Sequence, residues 1–117
     1  MMNMEKNLSE YDIQCQIVSF LRENLRPECM LTSFPLGGGG LKRGIKLKRS
    51  GCVAGWPDLQ ILHNGLYFGL EIKTERGKVS EAQKVIHRQL RKQGARVAVV
   101  KSILETKKKI NDWNLLR

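Results

Sequence analysis

Two acidic residues and a lysine near the middle of the chain have the types and spacing that metal-assisted hydrolysis of a phosphodiester requires. Asp58 follows Pro57, and Glu71 and Lys73 flank Ile72. Mg²⁺ binds one or two carboxylates and keeps its other positions for water and phosphate oxygens. A lysine beside such an ion can orient the attacking water or stabilise charge that develops on the phosphate. These three side chains therefore predict a catalytic site that acts on a phosphate ester.

The segment between the two acids is predicted to be a β-hairpin that brings them together. Two apolar runs flank Asn64-Gly65, a strong signal for a two-residue turn. That turn places Asp58 opposite Glu71, with their Cβ atoms ~4.5–5.5 Å apart unless a bulge shifts the register. Lys73 shares their face because side chains alternate along a strand. The other face carries apolar residues suited to a core: Leu59, Ile61, Phe68, Leu70 and Ile72.

A plain alternative is that these charged side chains form a solvated pattern on an exposed sheet face. An acid and a lysine separated by one residue often occur on a strand by chance. Like charges that face each other destabilise a sheet, however, which disfavours this alternative for Asp58 and Glu71. A divalent cation would remove their repulsion.

Basic residues are numerous and clustered. The chain has 117 residues, with 21 Lys and Arg against 11 Asp and Glu, and its formal net charge is +10. Residues 29–57 and 82–104 contain no acid. The first stretch carries Lys42, Arg43, Lys46, Lys48 and Arg49, and the second carries Lys84, Arg88, Arg91, Lys92, Arg96 and Lys101. Cations gain affinity by releasing counterions from phosphates, so a nucleic-acid partner is expected. The alternative is a basic protein without a polyanionic partner.

Other patterns exclude several classes of protein. The three cysteines form no Cys-x-x-Cys motif and no cluster with histidine, so neither a zinc site nor a disulfide framework is expected, and a reducing cytoplasm fits best. No signal-peptide pattern or apolar run of membrane-spanning length is present. Gly37–Gly40 followed by Lys42 lacks the spacing of a phosphate-binding loop, so no nucleotide cofactor is expected.

The remaining patterns predict a single α/β domain over residues 1–117, with a flexible terminus at 1–8. Helices are predicted from Glu10 to about Asn24, from Ser80 to about Gln93 and from Ile103 to about Trp113. Strands are predicted at Met30–Phe34, at Gly44–Arg49, in the hairpin and at Arg96–Val100. With the hairpin counted once, the order αβββαβα favours a mixed central sheet flanked by helices.

Glu10 and Gln83 each allow two interpretations. Glu10 lies three residues before Ile13 on the buried stripe of the first helix. It is either an acid favoured by the helix dipole or a third carboxylate for the metal site. Gln83 is the third residue after Ser80, which favours a capping box slightly over a role in the site. His63 and His87 are isolated, so surface roles are expected, and Trp56 is expected to pack in its loop.

Together these residues resemble the virus-type replication–repair nuclease (VRR-NUC) domain of the PD-(D/E)xK nuclease superfamily. The matching pieces are Ser9-Glu10-x-x-Ile13-Gln14, Gly55-Trp56-Pro57-Asp58-Leu59, Glu71-Ile72-Lys73 and Ser80-x-x-Gln83, within a resemblance that extends from about Ser9 to Ser102. The resemblance implies a restriction-endonuclease-like core and a divalent cation, Mg²⁺ or Mn²⁺. It implies that the metal ligands are Asp58, Glu71, Glu10 and the Ile72 carbonyl, that Lys73 is the catalytic lysine, and that Gln83 is the helix glutamine of the site.

The same resemblance implies a substrate. The glycine-rich basic segment would place Lys42, Arg43, Lys46, Lys48 and Arg49 near DNA, and Lys84 and Arg88 are further expected contacts. Short stand-alone members look like phage-encoded proteins, and they resemble Holliday-junction resolvases that act in DNA repair as homodimers on branched DNA. Trp56 departs from the smaller apolar residues usual there, which bears on substrate fit. The alternatives are a nuclease for flaps, single strands or duplexes, and a non-catalytic nucleic-acid-binding module.

Overall fold

The computed structural model describes residues 8–34 and 40–117, which form a four-stranded sheet with helices on both faces. The elements are α1 Glu10–Asn24, β1 Met30–Ser33, α2 Gly40–Arg49, β2 Leu59–His63, β3 Leu66–Ile72, α3 Glu81–Lys92, β4 Arg96–Val100 and α4 Ile103–Asp112. The strand order is β1-β2-β3-β4, with β3 and β4 parallel and the other neighbours antiparallel. The predicted mixed α/β sheet is confirmed. The proposed flexible terminus and Gly37–Gly39 lie outside the described residues, apart from Leu8.

The hairpin has the register that its turn predicts. Asn64 and Gly65 have φ values of 51° and 78°, as a type I′ turn requires. The ladder runs without a bulge from the turn to the pair formed by Leu59 and Leu70. Asp58 and Glu71 are the next residues outward. The hairpin therefore delivers both acids to the same end of the sheet.

One sequence prediction is wrong: residues 44–49 lie in the helix α2 and form no strand. The apolar and basic residues alternate over only four positions, from Ile45 to Lys48, and so short a pattern does not separate a strand from a helix. Leucine, lysine and arginine are strong helix formers. Gly51, with φ +106°, ends the helix through a hydrogen bond from the Cys52 N–H to the Leu47 carbonyl. The order becomes αβαββαβα.

The two faces of the sheet pack against different helices. One face, with α1 and α4, forms the larger core, which contains all five hairpin residues predicted for it. The other face packs against α3, where Ile86 and Leu90 contact Val97. Glu71 lies on the face that packs against α3, where Gln83 and His87 contact it. Within residues 8–34 and 40–117, no helix is long and apolar enough to span a membrane.

Gly55 fixes the loop that leads into Asp58. Its φ is +107°, a conformation that residues with a side chain rarely adopt. A Cβ at this position would lie 2.5 Å from the Ala82 carbonyl oxygen and 2.8 Å from an Ile86 side-chain carbon. The loop thus packs directly on the first turn of α3. Only glycine permits this contact, which sets the distance between Asp58 and the helix.

We expect Gly55→Ala to lower the free energy of unfolding by about 2 kcal/mol or more, because it adds both backbone strain and overlap. The measurement is thermal unfolding followed by circular dichroism, where the loss corresponds to a fall of roughly 8 °C. Gly51→Ala is the control for strain alone, since its φ is +106° but nothing lies within 4 Å of its Cβ. Gly44→Ala, in an open helical position, should cost nothing. Equal effects at all three positions would contradict the packing role of Gly55.

Candidate functional site

The ends of β2 and β3 position the three residues singled out for chemistry. Glu71 and Lys73 are buried, with 1% and 8% of their surfaces exposed, and Asp58 is half-buried. Ile72, between Glu71 and Lys73, points into the core on the other face of the sheet. Asp58 Oδ2 accepts a hydrogen bond of 2.7 Å from the Ile72 backbone N–H. This bond ties Asp58 to β3 beyond the end of the regular ladder.

The helix α3 supplies two further side chains, Gln83 and His87, which lie one turn apart. The Gln83 side-chain amide donates a hydrogen bond of 3.1 Å to Glu71 Oε2. His87 Nε2 lies 3.1 Å from Glu71 Oε1. Each oxygen of the Glu71 carboxyl group therefore contacts a different α3 side chain. The carboxyl group is held at a fixed angle at the centre of the cluster.

Gln83 makes both of the contacts that its spacing allowed, one with Ser80 and one with Glu71. Its side-chain Oε1 accepts a hydrogen bond from the Ser80 backbone N–H at 2.9 Å. The Gln83 backbone N–H donates to Ser80 Oγ at 3.2 Å, which completes the capping box. Its amide nitrogen remains available for Glu71. The side-chain oxygen of Gln83 thus caps the start of α3, and its side-chain nitrogen joins that start to Glu71.

His87 is the site residue that sequence reasoning missed. It was predicted to lie on the surface, but only 3% of it is exposed. Its spacing from Gln83 carried the signal, because residues four apart share one face of a helix. Its sequence neighbours indicated the opposite, because a histidine near Arg88, Arg91 and Lys92 is typical of a basic, exposed helix face. The structure shows that α3 presents its cations to solvent and His87 to Glu71.

Burial dominates the electrostatics of the cluster. It raises the pKa of Glu71 from 4.5 to about 9, aided by the hydrogen bonding and charge of Asp58 and opposed by Lys73. Glu71 therefore carries a proton at neutral pH when no cation is bound. Burial also lowers the pKa of His87, with Arg91 and Lys73 acting in the same direction. His87 is therefore neutral at physiological pH and can donate its Nε2–H to Glu71 in the matching tautomer.

Glu10 begins α1 at the same end of the sheet. Its side chain is exposed, and its charge contributes to the raised pKa of Glu71. The capping box of α1 is made by Ser9 and Asp12, so Glu10 is not required for that cap. A groove of about 880 Å³ near the start of α1 is lined by Leu8, Ile13, Thr74–Arg76 and residues 101–104.

Asp58 and Glu71 offer the oxygen donors that Mg²⁺ or Mn²⁺ prefers. In the described part of the chain, no group of three or more His, Cys, Asp or Glu side chains forms a ready-made metal cage. Mg²⁺ does not need one, because it binds through one or two carboxylates and retains water. A protonated buried acid beside a second acid also matches such a site, since a divalent cation would displace the proton and remove the repulsion. The donor set fits the cation that the sequence implied.

The basic residues predicted to meet DNA lie on two helices. On α3, Lys84 and Arg88 are exposed, and Lys84 also contacts Glu81 at 3.2 Å. On α2, Arg43 is half-buried. The other four predicted residues are exposed: Lys42, Lys46, Lys48 and Arg49. Trp56 and His63 were also assigned structural roles from the sequence. Trp56 packs edge-on against Phe34 and Tyr67, as expected, and His63 contacts Glu28 at 3.3 Å.

The fold is that of a solved structure described as "VRR_NUC domain protein". The TM-score is 0.74, the sequences are 24% identical, and the match covers 91% of this chain and 88% of that one. This match confirms the predicted fold and the predicted resemblance to the VRR-NUC domain. No protein-family model and no curated protein matches the chain.

We expect Glu71→Gln to change how stability depends on pH in metal-free protein. The pKa of Glu71 is about 9 when folded and about 4.5 when unfolded, so the folded state retains a proton that the unfolded state loses. The stability from this group is complete below about pH 4.5 and is lost as pH rises towards 9. The variant lacks this ionisation, so its melting temperature relative to wild type should rise between pH 5 and 9.

The measurement is thermal unfolding with EDTA at several pH values. Glu23→Gln, at an exposed position of α1, is the control and should show no such trend. A constant difference between Glu71→Gln and wild type across this range would show that Glu71 is ionised in the folded protein.

Proposed function

We propose that this protein is a divalent-metal-dependent DNA endonuclease of the VRR-NUC type. The observation that carries the proposal is the cluster of Asp58, Glu71 and Lys73 at one end of β3, with both Glu71 oxygens held by α3. The shared fold supports it, because the matched structure is described as a VRR_NUC domain protein. We take residues 1–117 as one nuclease domain.

Each residue of the cluster has a distinct role in this proposal. Asp58 and Glu71 would hold Mg²⁺ or Mn²⁺, and Glu10 and the Ile72 carbonyl would be further ligands. A bound divalent cation supplies an acidified water molecule and neutralises charge on the phosphate. Lys73 binds the scissile phosphate and stabilises the negative charge that develops there. Lys73 is buried, and its charge acts on the Glu71 carboxyl group.

Gln83 and His87 act through Glu71. A carboxylate that binds a metal through one set of lone pairs is oriented by hydrogen bonds to the others. Gln83 and His87 approach different oxygens of Glu71, so they limit rotation of the carboxyl group. We assign both as positioning residues, and Gln83 additionally links the site to the start of α3.

The substrate proposed is branched DNA, cut by a homodimer in the manner of a Holliday-junction resolvase. A four-way junction requires two symmetric cuts, and one chain of this size carries one cluster, so a twofold dimer supplies both. The net charge of +10 favours a polyanion, and the exposed cations of α2 and α3 are available for its phosphates. Cys15, Cys29 and Cys52 are unpaired, which suits action in the cytoplasm of a bacterial or phage-infected cell.

Lys73→Ala and Asp58→Ala should each reduce cleavage at least about 100-fold, because each removes a group that stabilises the transition state. The measurement is cleavage of a four-way junction, a flap and a duplex of the same sequence with Mg²⁺, Mn²⁺ or EDTA. DNA binding in EDTA should persist in both variants. Wild-type rates in both variants would refute the assignment. Binding without cleavage by wild-type protein in any metal would identify a non-catalytic module.

His87→Ala should weaken Mn²⁺ binding about 10- to 100-fold, since Glu71 loses one of its two orienting partners. His87→Gln, which retains an N–H donor, should recover part of the affinity. The measurement is calorimetric titration of Mn²⁺ into DNA-free protein. His63→Ala serves as the control, because His63 contacts Glu28 on the surface. Unchanged Mn²⁺ affinity in His87→Ala would show that the histidine only fills space.

A further inference from the structure

The helix α2 and the loop after it expose an apolar surface that the cluster at Glu71 does not use. The exposed fractions of Leu41, Ile45 and Val53 are 80%, 49% and 52%. Leu41 and Ile45 lie one helical turn apart, and all three line a groove of about 370 Å³ together with Leu47 and Cys52. We call Leu41, Ile45 and Val53 the α2 apolar surface. None of the ten described residues of α2 is buried.

This exposure requires a partner to explain it. Across residues 8–34 and 40–117, no other helix or strand packs extensively on α2. An isolated helix of ten residues is marginal in water, so packing normally stabilises one. Contiguous exposed apolar side chains on a small protein commonly mark a binding surface. We therefore expect α2 to be covered when the protein acts.

The surrounding charge identifies the kind of partner. Lys42, Lys46, Lys48 and Arg49 lie on the same helix, and residues 29–57 contain no acid. A second copy of this chain that packed through the same helix would bring the same cations into contact with them. The partner must instead combine negative charge with flat apolar area. Nucleic acid has both, but only where bases are not covered by a neighbouring pair.

We propose that the α2 apolar surface binds base faces exposed at a branch or at a single-stranded end of DNA, while the α2 cations bind the adjacent phosphates. Continuous duplex hides its base faces, so it gains only the phosphate contacts. Apolar side chains placed against base steps are a known means of binding deformed DNA. This inference rests on the proposed function, and it assigns to α2 the selection of branched over continuous DNA.

The chain connection sets how far this surface lies from the chemistry. Val53 precedes Asp58 by five residues, which span at most about 17 Å when fully extended. Successive base pairs are about 3.4 Å apart along duplex DNA. The cut should therefore lie within about five nucleotides of a base that contacts Val53.

The experiment compares wild type with the double variant Leu41→Ser/Ile45→Ser. Binding is measured by fluorescence anisotropy in EDTA on a four-way junction, a flapped duplex and a continuous duplex. The double variant should bind the junction and the flap about tenfold more weakly and the continuous duplex as before, because only base contacts are lost. The matched control, Lys42→Gln/Lys46→Gln, should weaken all three and reduce the dependence on salt. Equal losses on all three DNAs in the serine variant, or no loss, would overturn the inference.

Two further measurements test whether a second copy of the chain or a membrane surface covers α2 instead of DNA. The comparison with cleavage separates a failure of the inference from a failure of the proposed function. If the serine variant turns a wild-type dimer into a monomer by light scattering, α2 is an interface between copies. If it abolishes binding to anionic vesicles and leaves DNA binding intact, the partner is a membrane surface. Either result would overturn the inference. Because binding is measured without metal, a preference for branched DNA without any cleavage would refute the nuclease activity and leave the α2 assignment standing.

Discussion

The Glu71 carboxyl group is buried where almost no water reaches it, and the neighbouring elements are positioned to accommodate it. An ionised carboxylate in such a place costs several kcal/mol unless it is paired. Without a cation the protein meets this constraint by raising the pKa of Glu71 to about 9, so that the group is neutral. Gln83 and His87 then satisfy its two oxygens. In the proposed function, a divalent cation would take the place of this proton.

This constraint links three parts of the chain that are distant in sequence. The hairpin turn at Asn64-Gly65 sets the register that brings Asp58 level with Glu71. The crossover through α3 returns the chain to β4, parallel to β3, and so places α3 over the face that carries Glu71. Gly55 allows the loop before Asp58 to touch the backbone of α3. The position of α3 is thus fixed both by packing and by the polar contacts to Glu71.

The stable core and the proposed binding surfaces occupy different parts of the molecule. The apolar face of the hairpin packs against α1 and α4 and contains the larger core. The cations lie on α3 and on α2, and α2 adds little to that core. Substitutions on α2 are therefore expected to disturb the core little.

The sequence by itself determined the parts of the fold that depend on local patterns. The hairpin register, the bounds of α1 and α3 and the apolar face of the hairpin follow from turn residues, caps and periodicity, and the structure confirms them. Residues 44–49 were misassigned because four alternating positions fit a strand and a helix equally well. There, the helix propensity of the whole segment and the stop at Gly51 decided the outcome.

Only the tertiary structure decided what surrounds Glu71. Spacing left Gln83 between a cap and an inward contact, and the fold shows that its two amide atoms contact Ser80 and Glu71 respectively. His87 looked like a surface residue because nothing local records which side of α3 meets the sheet. Burial and the pKa of Glu71 likewise depend on packing between distant segments. Local sequence fixes conformations, whereas the shielding of a charge from water depends on every element that covers it.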